Sequence, residues 1–440
     1  MKLNSRLIVS TGSAALGGLL FGFDTAMIAG AIHGMSLRYQ LSPGALGATV
    51  SCAVWGTVLG GLLSAIPGER FGARECLRFG AALYFIAAFG SALSWSWPSL
   101  LAFRFIGGLG IGAITVFGPM YIADIAPAQW RGRLVSSFQF AIVTGILLAY
   151  ASNFAVSQLQ LGIAEWRWQM GVAVVPAVLF FIALFAIPRS PAWLVKRGRV
   201  DEARSALEQV REQDSERKLL AIQRSVELER KQKSSKLFTR RHRLPIFLAL
   251  SVGIFNQFSG INAILYYLND IFAKAGFSRV SANAQSIAIG AANLLFTVLA
   301  MTLIDRMGRR FLLLIGSAGM AACLAGVAAI FYTMRHQEIL LWCLIGFIAF
   351  FAFSQGTVVW VYLSEVFPTS AREKGQSLGT FALWLVNAIV AGIFPRIAAA
   401  SGGAPFLLFS AMMALQFFVV LFIFPETKGL SLEEVPQYVV

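Results

Sequence analysis

Residues 17–31 read GGLLFGFDTAMIAGA, an apolar, glycine-rich run interrupted by one carboxylate, Asp24. The run extends from near Leu7 to Ile32, long enough to cross a bilayer's hydrocarbon layer of roughly 30 Å. An acid at the centre of such a span costs roughly 2.5 to 3.5 kcal/mol, so it calls for a partner and a purpose. The expected partner is Arg104. It lies in a second run, Pro98 to Ile125, among Gly107, Gly108, Gly110 and Gly112, whose missing side chains let helices approach closely. Buried charges are usually paired whatever they do, so the pair alone does not separate a structural role from a functional one.

Composition sets the class around this stretch. Of 440 residues, 57% are hydrophobic and only 13% charged, and the mean hydropathy is +0.71. So much apolar surface excludes a water-soluble domain and implies a polytopic membrane protein. The net charge of +15 raises the question of nucleic acid, but the cations lie between the apolar runs and carry no such signal. Cys52, Cys76, Cys323 and Cys343 have no CxxC spacing, so they read as small packing residues rather than metal ligands or a disulfide frame. Lys2 and Arg6 before an apolar run imitate a signal peptide, yet the run is long enough to be a retained first helix.

Twelve spans are expected, at 7–32, 44–66, 77–96, 98–125, 134–157, 167–187, 245–273, 282–304, 311–333, 339–363, 375–398 and 404–424. Arg70, Arg74, Arg78, Arg131, Arg133, Arg306, Arg309, Arg310, Arg372 and Lys374 all fall in connections on one side. Basic loops mark the cytoplasmic side, so both termini are expected there. The connection Arg189 to Arg243 mixes acids and bases, and its middle, 201–232, reads as amphipathic helix in a cytoplasmic linker. Its basic end, Lys231 to Arg243, also suits anionic lipid. The expected division is an N-terminal six-helix bundle (1–188), a helical linker (189–243), a C-terminal six-helix bundle (244–425) and a short tail (426–440).

The two halves repeat. Glu69-Arg70-Phe71-Gly72-Ala73-Arg74 is answered 236 positions later by Asp305-Arg306-Met307-Gly308-Arg309-Arg310. Tyr121-Ile122-Ala123-Asp124, with Arg131, is answered after 241 by Tyr362-Leu363-Ser364-Glu365, with Arg372. Pro188-Arg189-Ser190-Pro191 is answered after 237 by Pro425-Glu426-Thr427-Lys428. Parallel repetition implies a site at the interface of the halves, exposed to each side in turn. Charges at the helix ends then form a latch: Glu69, Arg74, Asp124, Arg131, Asp305, Arg309, Arg310, Glu365, Arg372 and Glu426.

The segments GGLLFGFDTAMIAGA, RFIGGLGIG, PMYIADIAPAQWRGRLVSSFQFAI, FNQFSGINAILYY, DRMGRR, YLSEVFPTSARE and PETKG together resemble the sugar porter family of the major facilitator superfamily, especially its bacterial xylose and glucose proton symporters. The resemblance covers nearly the whole chain, and seven motifs in family order make it specific. It implies proton-coupled symport of a monosaccharide, hexose or pentose, by alternating access. Asp24 matches the acid such symporters protonate and Arg104 its partner. Burial disfavours a charged carboxylate and a nearby guanidinium favours it, so the pair can change its hold on a proton with conformation.

The resemblance also implies a sugar site of Gln139, Asn256, Gln257, Asn262, Asn293, Trp360, Trp384 and Asn387, with Tyr266 and Tyr267 as an external gate. The chemistry agrees, since amides both donate to and accept from sugar hydroxyls without charge, and an indole suits a flat pyranose face. Gly260 would permit the break that binding helices in transporters show. A single amide in a span could equally bind two helices together. Trp95, Trp97, Trp166 and Trp168 read as interfacial anchors.

Several positions depart from the family pattern. Asn256 stands for a glutamine, and Ile146 and Leu383 stand where relatives have amides, which points to altered sugar preference. Thr357 replaces a proline, which is expected to stiffen the hinge of the tenth span. Ala73, Arg189 and Ala192 replace a basic residue, an acid and a basic residue, which leaves the first half of the latch poorer in acid.

A passive facilitator would share nearly every motif, and a non-transporting sugar sensor would use the same pocket. Family sensors carry long cytoplasmic tails, whereas about 15 residues follow Pro425 here. No catalytic, cofactor or metal constellation appears, so no enzyme is expected. The expected partners are a monosaccharide, a proton and the lipid bilayer, with no nucleic acid, and the unit is expected to work as a monomer. A bacterial inner membrane fits the lack of Asn-x-Ser/Thr sequons and of a large external loop.

Overall fold

Backbone N–H and C=O groups inside a bilayer must pair within their own segment, and the apolar runs accordingly fold as helices. In the computed structural model, which describes residues 4–127, 129–210, 215–231, 237–367 and 371–427, no strand occurs among the described residues. The first part of the chain forms α1 (Ser5–Tyr39), α2 (Pro43–Leu63), the short α3 (Ala65–Phe71), α4 (Ala73–Ala92), α5 (Trp97–Ile125), α6 (Arg131–Gln158), α7 (Glu165–Gly171) and α8 (Val174–Ala183). The linker forms α9 (Pro191–Lys196), α10 (Val200–Val210) and α11 (Ser215–Lys231). There follow α12 (Arg243–Phe258), α13 (Ile261–Tyr266), α14 (Leu268–Lys274), α15 (Arg279–Met307), α16 (Arg309–Thr333), α17 (Leu340–Phe353), α18 (Gln355–Glu365), α19 (Arg372–Ala400) and α20 (Ala404–Ile423).

Eleven helical stretches among the described residues are long and apolar enough to cross a membrane. The remaining expected span, 77–96, falls on α4, whose first turns carry Arg74, Glu75 and Arg78 and make it less apolar. The described chain groups into two compact units. One comprises Met1–Met27, Cys52–Ala149 and Arg167–Lys233, the other Ile28–Ser51, Tyr150–Trp166 and Ser234–Val440. Helices α1, α2 and α6 each run from one unit into the other, whereas the sequence repeat would divide the chain at residues 188 and 244.

In the first unit, glycine seams bring helix backbones into contact. A Cβ on Gly108 would lie 2.0 Å from the Ala53 carbonyl oxygen of α2, and one on Gly110 would lie 2.6 Å from the Gly80 carbonyl oxygen of α4. The stripe around Arg104 therefore clamps α5 between two neighbours, as small residues do in lipid. Ser96 starts α5 with a capping box closed by Ser99, which satisfies backbone donors that the helix cannot pair internally.

The repeat has a backbone signature. Gly72 and Gly308 hold the same positive-φ turn, at φ 82° and 86°, between α3 and α4 and between α15 and α16. Both conformations are open to glycine and strained for other residues.

The linker differs from the single amphipathic helix expected. Its helices α9, α10 and α11 share a small core of Leu194, Val195, Ala203, Ala206, Leu207, Leu219, Ile222 and Val226. On α10 the buried positions Ala203, Ala206, Leu207 and Val210 follow the i, i+3, i+4, i+7 spacing of one helical face. The basic end from Lys231 lies partly outside the described residues, at 232–236.

One other expectation is corrected. Trp166 is 1% exposed, wedged against Gly34 and edge-on to Tyr39 at 5.8 Å, so it is a core residue rather than an interfacial anchor. Trp95 and Trp168 remain exposed. The hinge of the tenth span lies at Ser354 (φ −114°, ψ −90°) between α17 and α18, three residues before Thr357, where Ser354 Oγ donates to the Phe350 carbonyl at 2.6 Å.

Candidate functional site

Asp24, Arg104 and Tyr84 meet inside the first unit. Arg104 Nη1 and Tyr84 Oη each lie 3.3 Å from the same oxygen, Asp24 Oδ1. Arg104 is 4% exposed and Asp24 17%. Two donors thus converge on one carboxylate oxygen in a largely buried site. Arg104 Nε is buried with no hydrogen-bond partner among the described residues, which leaves the guanidinium under-satisfied in this arrangement. Sequence reasoning named Asp24 and Arg104 and missed Tyr84. A tyrosine in an apolar span was the available signal, since a buried hydroxyl needs a partner.

Gln139 lies half-buried on α6 in the same unit. Its surroundings are fixed by contact between α1 and α6: Gly18 abuts the Phe138 carbonyl, and a Cβ on Gly145 would lie 2.1 Å from the Leu19 carbonyl oxygen.

The other predicted sugar ligands lie in the second unit, and several form a chain. Asn262 Nδ2 donates to Gln257 Oε1 at 2.9 Å, and Gln257 Nε2 donates to Asn256 Oδ1 at 2.8 Å. Asn256 Nδ2 reaches the Gln355 carbonyl at 3.4 Å. Gly260, at φ 82°, breaks the helix between α12 and α13, as the sequence led one to expect. The break brings Asn262 back onto Gln257, five residues earlier, a contact that an uninterrupted helix would not favour. Asn387 Nδ2 donates to Tyr266 Oη at 3.3 Å. Tyr267 Oη donates to the Ala391 carbonyl at 2.9 Å, and its ring stacks on Phe394. Asn293 is buried on α15 beside Thr297. Trp384 is partly buried against the core of this unit, and Trp360 is 46% exposed.

Behind the amide chain lies a pair that sequence reasoning missed. Gln355 Nε2 donates to Gln416 Oε1 at 2.5 Å, and the two residues are 1% and 0% exposed. Amides in otherwise apolar spans were the signal, but neither falls in a recognised motif.

The latch residues divide. In the second unit, Arg309 Nη2 lies 3.2 Å from Glu365 Oε1, while Glu426 accepts from the backbone N–H groups of Arg309 and Arg310 at 2.9 and 3.1 Å. Thr427 Oγ1 donates to Glu365 Oε2 at 2.6 Å. In the first unit, Ser190 Oγ donates to Asp124 Oδ2. Arg74 pairs with Glu75 at 2.6 Å, a residue the sequence reading left out. Burial by itself raises the Glu75 pKa, but the hydrogen bond and charge of Arg74, joined by Arg78, outweigh it and hold the carboxyl below its ordinary range. Glu69 is exposed and engages Trp193 through its backbone carbonyl, and Arg131 is exposed. The side chains of Asp305 and Arg372 lie outside the described residues.

Residues 11–438 match the model of a family described as sugar (and other) transporter. The chain belongs to that family. It is 36% identical to the arabinose-proton symporter of Bacillus subtilis (strain 168) over 98% of this chain and 94% of that one. It superposes on a partially occluded inward-open structure of the xylose transporter XylE from E. coli with a TM-score of 0.87, at 32% identity over 97% of this chain and 100% of that one. A structure of the proton:xylose symporter XylE bound to 6-bromo-6-deoxy-D-glucose gives a TM-score of 0.79, at 33% identity over 99% of each chain. The chain thus has the major facilitator fold and is a multi-pass membrane transporter rather than an enzyme.

Proposed function

We propose that this transporter carries a monosaccharide into the cell together with a proton, by alternating access. The observation that carries the reading is the Asp24–Arg104 pair, buried in the membrane at 3.3 Å and shared with Tyr84, in a chain whose relatives include sugar-proton symporters. Protonation of Asp24 removes the charge that holds Arg104 and Tyr84. The three groups then part, and the helices that carry them are free to change packing. One charge moving through about 100 mV supplies about 2.3 kcal/mol, enough for roughly fifty-fold accumulation at tenfold per 1.4 kcal/mol.

The sugar is held by Gln139, Asn256, Gln257, Asn262, Asn293, Trp360, Trp384 and Asn387. The linked amides Asn256, Gln257 and Asn262 support this, since they satisfy each other until sugar hydroxyls replace those bonds. Tyr266 and Tyr267 form the external gate. The helix ends around Asp124 and Glu365, with Glu69, Arg74, Arg131, Asp305, Arg309, Arg310, Arg372 and Glu426, form the cytoplasmic latch, and the chain divides near residues 188 and 244. Both termini lie in the cytoplasm of a bacterial cell whose inner membrane holds the protein as a monomer.

The deciding experiment is uptake of labelled glucose, xylose, arabinose and galactose into proteoliposomes, with and without a proton gradient, for wild type and Asp24→Asn. Gradient-driven accumulation lost in the variant, with sugar exchange retained, is the expected result. Gradient-independent equilibration that the substitution leaves unchanged would identify a facilitator.

A further inference from the structure

The two halves differ at one point of the repeat. Following α20, Glu426 places its carboxylate on the backbone N–H groups that open α16, beside Arg309 and Arg310. The equivalent position in the first half is Arg189, which follows Pro188 as Glu426 follows Pro425. An anion in one half is replaced by a cation in the other.

The first half does not restore the balance with other acids. Arg74, Arg78 and Arg189 all converge on Glu75, at 2.6, 3.1 and 3.7 Å. Asp124 is taken up by the Ser190 hydroxyl. Arg199 lies close by and is paired only with Glu202. Arg74, Arg78 and Arg189 therefore share the one carboxylate of Glu75, and with Arg199 four guanidiniums face three carboxylates, Glu75, Asp124 and Glu202, while in the second half Arg309 and Arg310 face Glu365 and Glu426.

The cluster surrounds a cavity of about 610 Å³, open to the surface and lined by Arg74, Arg189, Arg199, Glu202 and Phe185 among others. Its arginines are held in place. Arg74 Nη1 donates to the Ile187 carbonyl, Arg78 donates to the Leu184 carbonyl through Nε and Nη2, and Arg189 lies over the Trp193 ring. Guanidiniums fixed in this way lose little freedom when they bind an oxyanion.

An apolar track leads to the cavity. Val175, Leu179 and Ile182 on α8, and Phe185 two residues past its end, are each 58–61% exposed, and the three on α8 recur at the spacing of one helix face. At its end the Phe185 ring lies 4.4 Å beneath the Arg78 guanidinium and forms part of the cavity wall. A strip suited to an acyl chain thus runs into a pocket with surplus positive charge, and basic pockets at the end of membrane helices are suited to lipid phosphates.

We propose that this cavity is a binding site for an anionic phospholipid, whose headgroup phosphate supplies the negative charge that Glu426 supplies in the other half. Arg74, Arg189 and Arg199 are its cationic partners, and the track ending at Phe185 takes an acyl chain. The site is independent of the sugar and proton reading.

The test uses the full chain in detergent, titrated with phosphatidylglycerol or with zwitterionic phosphatidylethanolamine, and follows thermal unfolding. Phosphatidylglycerol is expected to raise the midpoint and phosphatidylethanolamine is not. The apparent lipid affinity should fall about tenfold in Arg199→Gln, as for one lost charge-assisted hydrogen bond, and by more in Arg189→Glu. Arg189→Glu restores the acid of the repeat, so it should be at least as stable as wild type without anionic lipid. Arg217→Glu, which makes the same charge change at an exposed linker position, should keep the response. A midpoint that does not respond to phosphatidylglycerol would overturn the proposal, as would a response equal in all three variants. Protection by millimolar inorganic phosphate with no response to the lipid would also overturn it, since the ligand would then be a soluble anion.

Discussion

Tyr121 and Tyr362, 241 positions apart, make the same hydrogen bond. Each hydroxyl donates to a proline carbonyl at the start of the segment that follows its bundle, Pro188 at 2.9 Å and Pro425 at 3.3 Å. The acids three residues on, Asp124 and Glu365, then accept from the hydroxyls two residues past those prolines, Ser190 and Thr427. The sequence repeat is therefore a repeated clasp, which ties the end of the fourth and tenth spans to the chain leaving the sixth and twelfth. Each clasp buries a tyrosine and satisfies its hydroxyl, so it fixes the exit direction of the chain as well as adding packing.

Thr427→Ala removes the donor to Glu365 but leaves Arg309 in place, and the expected loss is about 1 kcal/mol. Glu365→Gln weakens both bonds and should cost more. Thermal unfolding of the detergent-solubilised variants checks the order, and equal effects would mean that Arg309 contributes nothing beyond the hydroxyl.

Tyr84→Phe removes one of two donors on Asp24 Oδ1 without changing volume much. A hydrogen bond to a charged group contributes roughly 1.5 to 3 kcal/mol, so gradient-driven uptake should fall about tenfold. Sugar exchange without a gradient should stay within about twofold, because the residues proposed to hold the sugar are untouched. Uptake and counterflow assays on the same proteoliposomes separate the two.

Gln416→Leu leaves the Gln355 amide, 1% exposed, with only the weak acceptor Met413 Sδ at 3.8 Å to donate to. The expected cost is about 1 to 3 kcal/mol, and replacing both glutamines with leucine should recover much of it. A double-mutant cycle on thermal unfolding measures the coupling, expected at roughly 0.5 to 3 kcal/mol. If Gln355 also positions Asn256 through its carbonyl, the single variant shifts the ratio of pentose to hexose transport as well as stability.

Gly260→Ala places a Cβ at φ 82° and 2.2 Å from the Phe409 ring. The left-handed backbone alone costs about 1 to 2 kcal/mol, and the clash adds to it. Sugar binding, followed by tryptophan fluorescence, should weaken together with stability, because Asn262 loses its register against Gln257.

Glu75 has a folded pKa held below its ordinary value. A group depressed in this way contributes stability that is present above its unfolded pKa, about 4.3, and is lost as pH falls through the folded value. Wild type should therefore lose stability relative to Glu75→Gln below about pH 4.3, and the two curves should run parallel near neutrality. Unfolding midpoints across that range test the sign.

The membrane class, the expected spans, the linker's place and the repeat are all legible in the residues, because length in apolar runs and basic loops are local properties of a chain. Asp24 and Arg104 could be paired from sequence because a charge in lipid demands a counter-charge and few are available. Tyr84, Glu75, Gln355 and Gln416 escaped notice for the opposite reason. Each is an ordinary residue type in its segment, and its role appears only when a distant helix brings a partner to it. Tertiary structure alone decided that Trp166 is core and that the linker is three helices around a small hydrophobic centre. It also decided that the tenth span breaks at Ser354 and that three arginines, Arg74, Arg78 and Arg189, crowd one acid, Glu75. Sequence specifies which groups must be buried or paired, whereas which partner satisfies each one depends on the packing of helices far apart in the chain.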